Sequence, residues 1–156
     1  MEEKYVCTFI AQPPFDEIDI ECKGEGQELH FTLAIGFFSV PSFLYQLSRL
    51  WKGKTDTVEM GGFGNAVNYY FKIVDRRLLI EEERHFTHDE KSRHYDFDFE
   101  CFVKSVDQGL KDFIKKQMAL GEYPLKVNYS PHLLEPQNMK EYEEFSSLIN
   151  RKRTIL

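Results

Sequence analysis

The alternation of apolar and acidic residues in two short segments limits how this chain can fold more than any other feature. Segment 17–22 alternates acidic residues with apolar ones: Glu17, Ile18, Asp19, Ile20, Glu21, Cys22. Segment 95–100 does the same with aromatic residues: Tyr95, Asp96, Phe97, Asp98, Phe99, Glu100. Because successive side chains of a strand point to opposite faces, each segment predicts a strand with one buried and one wet face. Such one-sided strands are typical of antiparallel sheets.

The remaining patterns add further strands and three helices. Leu29–Ile35 alternates in the same way, and residues 67–74 and 78–85 also resemble strands. Apolar residues at helical spacing predict helices over residues 41–52, 102–119 and 136–150. We therefore expect an α+β fold, with a mostly antiparallel β-sheet covered on one face by two or three helices. No repeat or linker divides the chain, so residues 1–156 are expected to form a single globular domain.

The two faces of these strands predict which side chains form the core. The sheet residues expected to be buried on one face are Ile18, Ile20, Phe31, Leu33, Phe97 and Phe99. The helix residues expected to pack against them are Leu47, Leu50, Val106, Leu110 and Phe113. Gly109 lies inside the second helix, where glycine costs about 1 kcal/mol relative to alanine, and this indicates close packing against a neighbour.

Composition limits the classes of function. The chain has 156 residues, 15% of them aromatic, and a net charge of −6. An aromatic content this high indicates a folded chain, and the acidity disfavours nucleic acid and favours a basic partner. No apolar run approaches the ~20 residues that span a bilayer, so we expect no membrane partner and a cytoplasmic location. Cys7, Cys22 and Cys101 match neither a disulfide framework nor a metal motif, and no cofactor is expected.

The outward acids of the two alternating strands suggest a binding surface. These residues are Glu17, Asp19, Glu21, Asp96, Asp98 and Glu100, and Glu81 and Glu83 are candidates to join them. If the two strands pair, the sheet presents an anionic wall. Such a wall would dock a basic protein such as a toxin domain, because complementary charge speeds encounter and selects partners. The alternative is an ordinary solvated sheet face.

Segment 85–98 suggests a different function. His85, His88 and His94 lie within ten residues of one another, with Asp89 and Asp96 nearby. Imidazole and carboxylate together suit zinc or iron, which would make the chain a small enzyme or a metal-binding protein. The spacing matches no rigid metal motif, so a solvated loop rich in histidine is the alternative. No residue is assigned as catalytic.

The order of elements resembles that of the small immunity proteins of bacterial polymorphic toxin systems. Short strands come first, a helix ends near Trp51, more strands follow, and Phe99 leads into a long amphipathic helix. The resemblance covers residues 4–120 and concerns the layout of the chain. It implies a cytoplasmic, non-enzymatic inhibitor that binds its cognate toxin, and it identifies no individual site residue.

Overall fold

The computed structural model describes residues 4–12, 17–33, 36–61, 67–84, 93–119 and 136–151. These residues form seven strands and three helices, in an α+β fold with antiparallel sheets, as the sequence predicts. The elements are β1 (Val6–Gln12), β2 (Glu17–Gly24), β3 (Gln27–Leu33), α1 (Gly36–Trp51), β4 (Thr57–Gly61), β5 (Val67–Val74), β6 (Arg77–Arg84), β7 (Arg93–Asp98), α2 (Phe99–Ala119) and α3 (Pro136–Asn150).

The described strands divide into two antiparallel sheets. The three-stranded sheet has the order β1-β2-β3, and the four-stranded sheet has the order β4-β5-β6-β7. Strands β2 and β3 are joined by a two-residue turn at Glu25 and Gly26, which have φ angles of 48° and 74°. Asp75 and Arg76 join β5 to β6 with φ angles of 49° and 67°. Positive φ at both turn positions matches the right-handed twist of paired strands.

Two helix boundaries differ from the sequence prediction. Helix α1 begins at Gly36 and contains Pro41, because burial of its apolar side continues before the proline: Val40 is fully buried. An internal proline removes one helical hydrogen bond and crowds the carbonyl one turn earlier, and burial of the apolar side offsets that cost. Helix α2 begins at Phe99, three residues early, because the Asp98 carboxylate caps it by accepting the Cys101 N–H at 2.8 Å.

All eleven predicted core residues are buried. They belong to a hydrophobic core that both sheets and all three helices share. Aromatic rings connect these layers. Phe31 of β3 lies 5.4 Å from both Tyr69 of β5 and Phe43 of α1, measured between ring centroids. Phe102 of α2 lies 5.4 Å from Phe97 of β7. The sheet residues and the helix residues expected in the core therefore do pack together. They do not share one sheet face, however, because Phe97 lies in the second sheet and Phe99 in a helix.

Gly109 allows α2 to lie directly on β1, which confirms the close packing expected from the sequence. A Cβ atom at this position would lie 2.2 Å from the carbonyl oxygen of Cys7 and 2.9 Å from its carbonyl carbon. Both atoms belong to the backbone of β1, so no side chain can rotate to make room. Any side chain at position 109 would push the helix away from the three-stranded sheet.

Gly109→Ala should therefore lower the free energy of unfolding by about 1–3 kcal/mol, the usual cost of overpacking. In an open helical position the same change stabilises by about 1 kcal/mol. Exposed Lys115 of the same helix supplies the comparison, since Lys115→Ala should be more stable than Lys115→Gly. Urea unfolding followed by circular dichroism measures all three variants. A stabilised Gly109→Ala protein would contradict the close contact.

Candidate functional site

The outward face of the four-stranded sheet carries a row of ionisable side chains. In the strand register, Glu59 of β4 is opposite Tyr70 of β5, Tyr70 is opposite Glu81 of β6, and Glu81 is opposite His94 of β7. Side chains opposite one another on antiparallel strands have Cβ atoms about 4.5–5.5 Å apart. Glu59, Tyr70, Glu81 and His94 thus form one continuous line across the sheet, here named the ionisable row.

A second row lies beside it and adds apolar surface. Thr57, Lys72, Leu79 and Asp96 are opposite one another across the same four strands. The Leu79 side chain is 37% exposed, although it is apolar. Together the two rows line an open depression of about 650 Å³, with Gln27 of β3 at its border. This volume lies within the range of ligand sites, roughly 300–1,000 Å³.

The proton equilibrium of Tyr70 is shifted by its neighbours on this face. A hydrogen bond to Glu83 raises the pKa of its phenol, partial burial raises it further, and a bond from Asn68 acts in the opposite direction. The charges of Glu83 and Glu59 also raise this pKa. At neutral pH the phenol is protonated and donates its hydrogen bond to Glu83. Its neighbours give the centre of the depression a negative potential.

The predicted acids of β2 lie on the other sheet. Ile18, Ile20 and Cys22 are buried while the alternate acids point outward, so the predicted phase of this strand is correct. Glu17, Asp19 and Glu21 consequently share the outward face of the three-stranded sheet. The Asp19 side chain is only 19% exposed and accepts a hydrogen bond from Thr32 Oγ1 at 2.6 Å.

The predicted acids near β7 have different positions, and the strand pairing that a single anionic wall requires does not occur. Strand β2 pairs with β1 and β3, whereas β7 pairs with β6, so the two acidic strands lie in separate sheets. Asp98 caps α2, and Glu100 lies in the first turn of that helix, 2.8 Å from Lys104 Nζ. Asp96 Oδ1 lies 2.8 Å from Arg77 Nε. The helix cap ends the strand before Glu100 and separates the three acids.

Arg77 and Glu25 join the two sheets at an intersheet junction. Arg77 Nη2 lies 3.0 Å from Glu25 Oε2 and donates to the Asp96 carbonyl at 3.1 Å. The Asp98 N–H donates to the Tyr5 hydroxyl at 2.8 Å and to Glu25 Oε2 at 3.0 Å, and the Tyr5 hydroxyl donates to Glu25. The Tyr5 and Arg77 bonds hold the pKa of Glu25 below its usual range. Apart from Tyr5, these partners lie 52 or more residues from Glu25 along the sequence, so no local sequence pattern indicates them.

Gln27 covers the edge of the four-stranded sheet next to this junction. Its side-chain amide donates to the Asp96 carbonyl at 2.5 Å and accepts the Asp96 N–H at 2.8 Å. The amide thus bonds to β7 as a neighbouring strand would. An uncovered edge strand is a site for unwanted pairing with other chains. The side chain of Gln27 therefore pairs with both backbone hydrogen-bonding groups of Asp96 at this edge and connects the two sheets.

The metal hypothesis concerns residues that lie mostly outside those described. His85, His88 and Asp89 are among the residues not described, whereas His94 and Asp96 lie on the outward face in adjacent rows. Within the described ranges, no group of three or more histidine, cysteine or acidic residues is arranged to hold a metal ion. In the same ranges, no helix has both the length and the apolar character needed to span a membrane.

Glu25→Gln should destabilise the protein at neutral pH, because it removes the charge that pairs with Arg77. The loss should be only about 1 kcal/mol, because the Glu25 side chain is 38% exposed and solvent screens its interactions. A carboxylate whose pKa is lower in the folded than in the unfolded protein stabilises the fold at pH values above its unfolded pKa, near 4.5. This stability is lost as the pH falls through the pKa of the folded protein. The deficit of the variant should therefore shrink on acidification. Urea unfolding at several pH values measures it.

Glu28→Gln is the matched control, because Glu28 lies on the same hairpin and its carboxylate is 4.0 Å from Lys23 Nζ with 58% exposure. Its stability should follow the wild type closely at every pH. Equal behaviour of the two variants would mean that the junction contributes nothing beyond an ordinary surface carboxylate.

Comparison of this chain with protein families, with curated proteins and with solved structures finds no significant match. The geometry of the described residues is therefore the basis for a functional interpretation.

Proposed function

We propose that this chain is a protein-binding module that docks a cationic segment of its partner on the outward face of the four-stranded sheet. The observation that carries this proposal is the ionisable row on the floor of an open depression. Tyr70 lies between Glu59 and Glu81 in that row. An aromatic ring flanked by two carboxylates suits a guanidinium or ammonium group, which gains both ion pairing and cation–π attraction.

The charge balance of this face favours a cation. Arg77 is already paired with Asp96 and Glu25. Among the other described outward side chains of this sheet, Glu59, Glu81 and Glu83 are acidic and Lys72 is basic, so the balance is negative. Arginine fits better than lysine, because its planar guanidinium can bond to two carboxylate oxygens while it stacks on a ring.

The face also offers the apolar contact that a protein interface needs. Leu79 is 37% exposed next to Lys72, and Val74, at the end of the same sheet, is 40% exposed. Interfaces gain most of their energy from a few residues near the centre, among which tyrosine is enriched. Tyr70 is in that position here, with carboxylates around it. We expect Tyr70 and Leu79 to anchor the partner and the acids to select it.

The acids of β2 have a second, longer-range part in this proposal. Glu17, Asp19 and Glu21 lie on the three-stranded sheet, outside the lining of the depression, and carry a negative field. Such a field speeds the approach of a basic partner and is screened beyond roughly 10 Å at ordinary salt. Changes in β2 should therefore alter the association rate, whereas changes in the ionisable row should alter the dissociation rate.

The partner class we propose is a basic toxin domain, with the chain acting as its immunity protein. The order of elements, which resembles that of such inhibitors, and the anionic outward faces support this choice. If the proposal is correct, co-expression of this chain should relieve the toxicity of a toxin encoded beside it. The Glu81→Lys variant should give weaker protection than the wild type.

The docking site can be tested with a blocked tri-arginine peptide as the probe, in an NMR titration that follows each backbone amide. Two or three exposed charge contacts and one cation–π contact amount to about 2–4 kcal/mol, so the dissociation constant should be on the order of 1 mM or weaker. Shifts should concentrate at Tyr70, Glu81 and their neighbours. The neutral tri-citrulline peptide should leave them unchanged.

Glu81→Gln should weaken binding of the arginine peptide about three- to fivefold, the value of one exposed charge pair. Glu17→Gln is the matched control, since it removes an outward glutamate from the other sheet, and it should change the affinity by less than about twofold. Shifts centred on β2, or equal effects of the two variants, would refute this location. The absence of shifts anywhere would refute cation binding itself.

A further inference from the structure

Cys7 and Cys22 form a pair that the binding proposal does not use. The two residues are directly opposite in the register of β1 and β2. Their side chains share the inner face of the three-stranded sheet, where Cys7 is 6% and Cys22 2% exposed. The Cys22 thiol donates to the Cys7 sulfur across 3.1 Å, and both cysteines are free.

The backbone geometry permits a bond between these sulfur atoms. Opposite residues of an antiparallel pair have Cα atoms about 4.5–5.5 Å apart, within the 4.4–6.8 Å range of disulfides. The strands are held in this register by their own ladder, which runs from Val6 opposite Lys23 to Gln12 opposite Glu17. Oxidation therefore needs only side-chain rotation, without sliding one strand past the other.

We infer that Cys7 and Cys22 form a reversible intramolecular disulfide bond when the protein encounters hydrogen peroxide. One sulfur attacks the peroxide O–O bond, takes one oxygen as a sulfenic acid and releases water. The second sulfur attacks the sulfenic sulfur, forms the S–S bond and releases a second water. Two thiols and one peroxide thus yield one disulfide and two waters, with the two sulfur atoms oxidised and the two peroxide oxygens reduced.

The surroundings of the pair select the oxidant. Burial raises the pKa of the Cys7 thiol well above its usual value, and the hydrogen bond with Cys22 raises it further. Little of the reactive thiolate is therefore present, and the pair reacts slowly. Helix α2 lies over the pair at Gly109 and excludes large reagents. A small uncharged oxidant such as hydrogen peroxide can reach the sulfur atoms during local opening. A protein or glutathione disulfide is too large to do so.

The bond would join β1, an edge strand of the three-stranded sheet, covalently to β2. Strand β1 pairs only with β2 among the described strands and supports α2 through the Cys7 backbone. A disulfide that closes the short loop between positions 7 and 22 restricts the unfolded chain. Oxidation should accordingly raise the midpoint of thermal unfolding by roughly 5–10 °C.

The test uses the Cys101→Ser protein, because Cys101 is exposed and would react between molecules. After peroxide treatment and quenching, the protein is unfolded in N-ethylmaleimide and weighed by mass spectrometry. The expected product carries no maleimide and is about 2 Da lighter than the reduced protein without adducts, since two hydrogens are lost, whereas the untreated protein carries two maleimides. Phosphine reduction should restore two reactive thiols, and proteolysis should yield one fragment that joins position 7 to position 22.

Cys22→Ser in the same background is the matched control, with circular dichroism to confirm that it folds. Its remaining Cys7 should gain oxygen or stay reduced, and its thermal midpoint should not rise with peroxide. Two maleimide adducts on the treated Cys101→Ser protein, or oxygen addition without loss of hydrogen, would overturn the inference. The arginine-peptide titration of the oxidised protein should be unchanged, so failure of this proposal is distinguishable from failure of the binding proposal.

Discussion

The approach of α2 to the backbone of β1 is the contact on which the rest of this structure depends. Only glycine at position 109 allows it, because a Cβ atom would lie 2.2 Å from a strand carbonyl. The same helix packs Phe102 against Phe97 and Phe71 of the four-stranded sheet. Helix α2 therefore joins two sheets that would otherwise bury their apolar faces separately. Dense packing of this kind tolerates little change in volume.

In the part of the chain that the structure describes, the outward faces of both sheets carry exposed side chains. All three helices pack into the shared core, and antiparallel sheets accept one wet face. The outward face of the four-stranded sheet carries Tyr70 and exposed Leu79 in one depression, whereas the described outward side chains of the three-stranded sheet include exposed Val6 and Ile10 but no tyrosine. Binding needs anchors as well as charge. For this reason we locate the proposed interface there and give the acids of β2 a steering role.

Acidic residues have two distinct uses in this protein. Glu25, Asp98 and Asp107 serve the fold: Glu25 pairs with Arg77, Asp98 caps α2, and Asp107 accepts a hydrogen bond at 3.0 Å from Asn150 of α3. These carboxylates have partners within the chain and are less available to others. Glu59 and Glu81 are exposed on the outward face of the four-stranded sheet. Net charge alone does not distinguish these positions, whereas the described contacts of each carboxylate do.

The sequence by itself determined the local structure. Alternation predicted the faces of β2 and the burial of Ile20 and Phe97, helical spacing predicted three helices, and a glycine within a helix predicted a close contact. These results follow from periodicity, since side-chain direction repeats every two residues in a strand and every 3.6 in a helix.

Only the tertiary structure decided which strands are neighbours. It placed β2 and β7 in different sheets, aligned Glu59, Tyr70, Glu81 and His94 from four strands, and brought Arg77 to Glu25. The single anionic wall was conditional on a pairing of β2 with β7, which no local pattern specifies and which the structure does not contain. Pairing depends on how all apolar faces can be buried together, which is a property of the whole chain, whereas alternation is a property of a few residues.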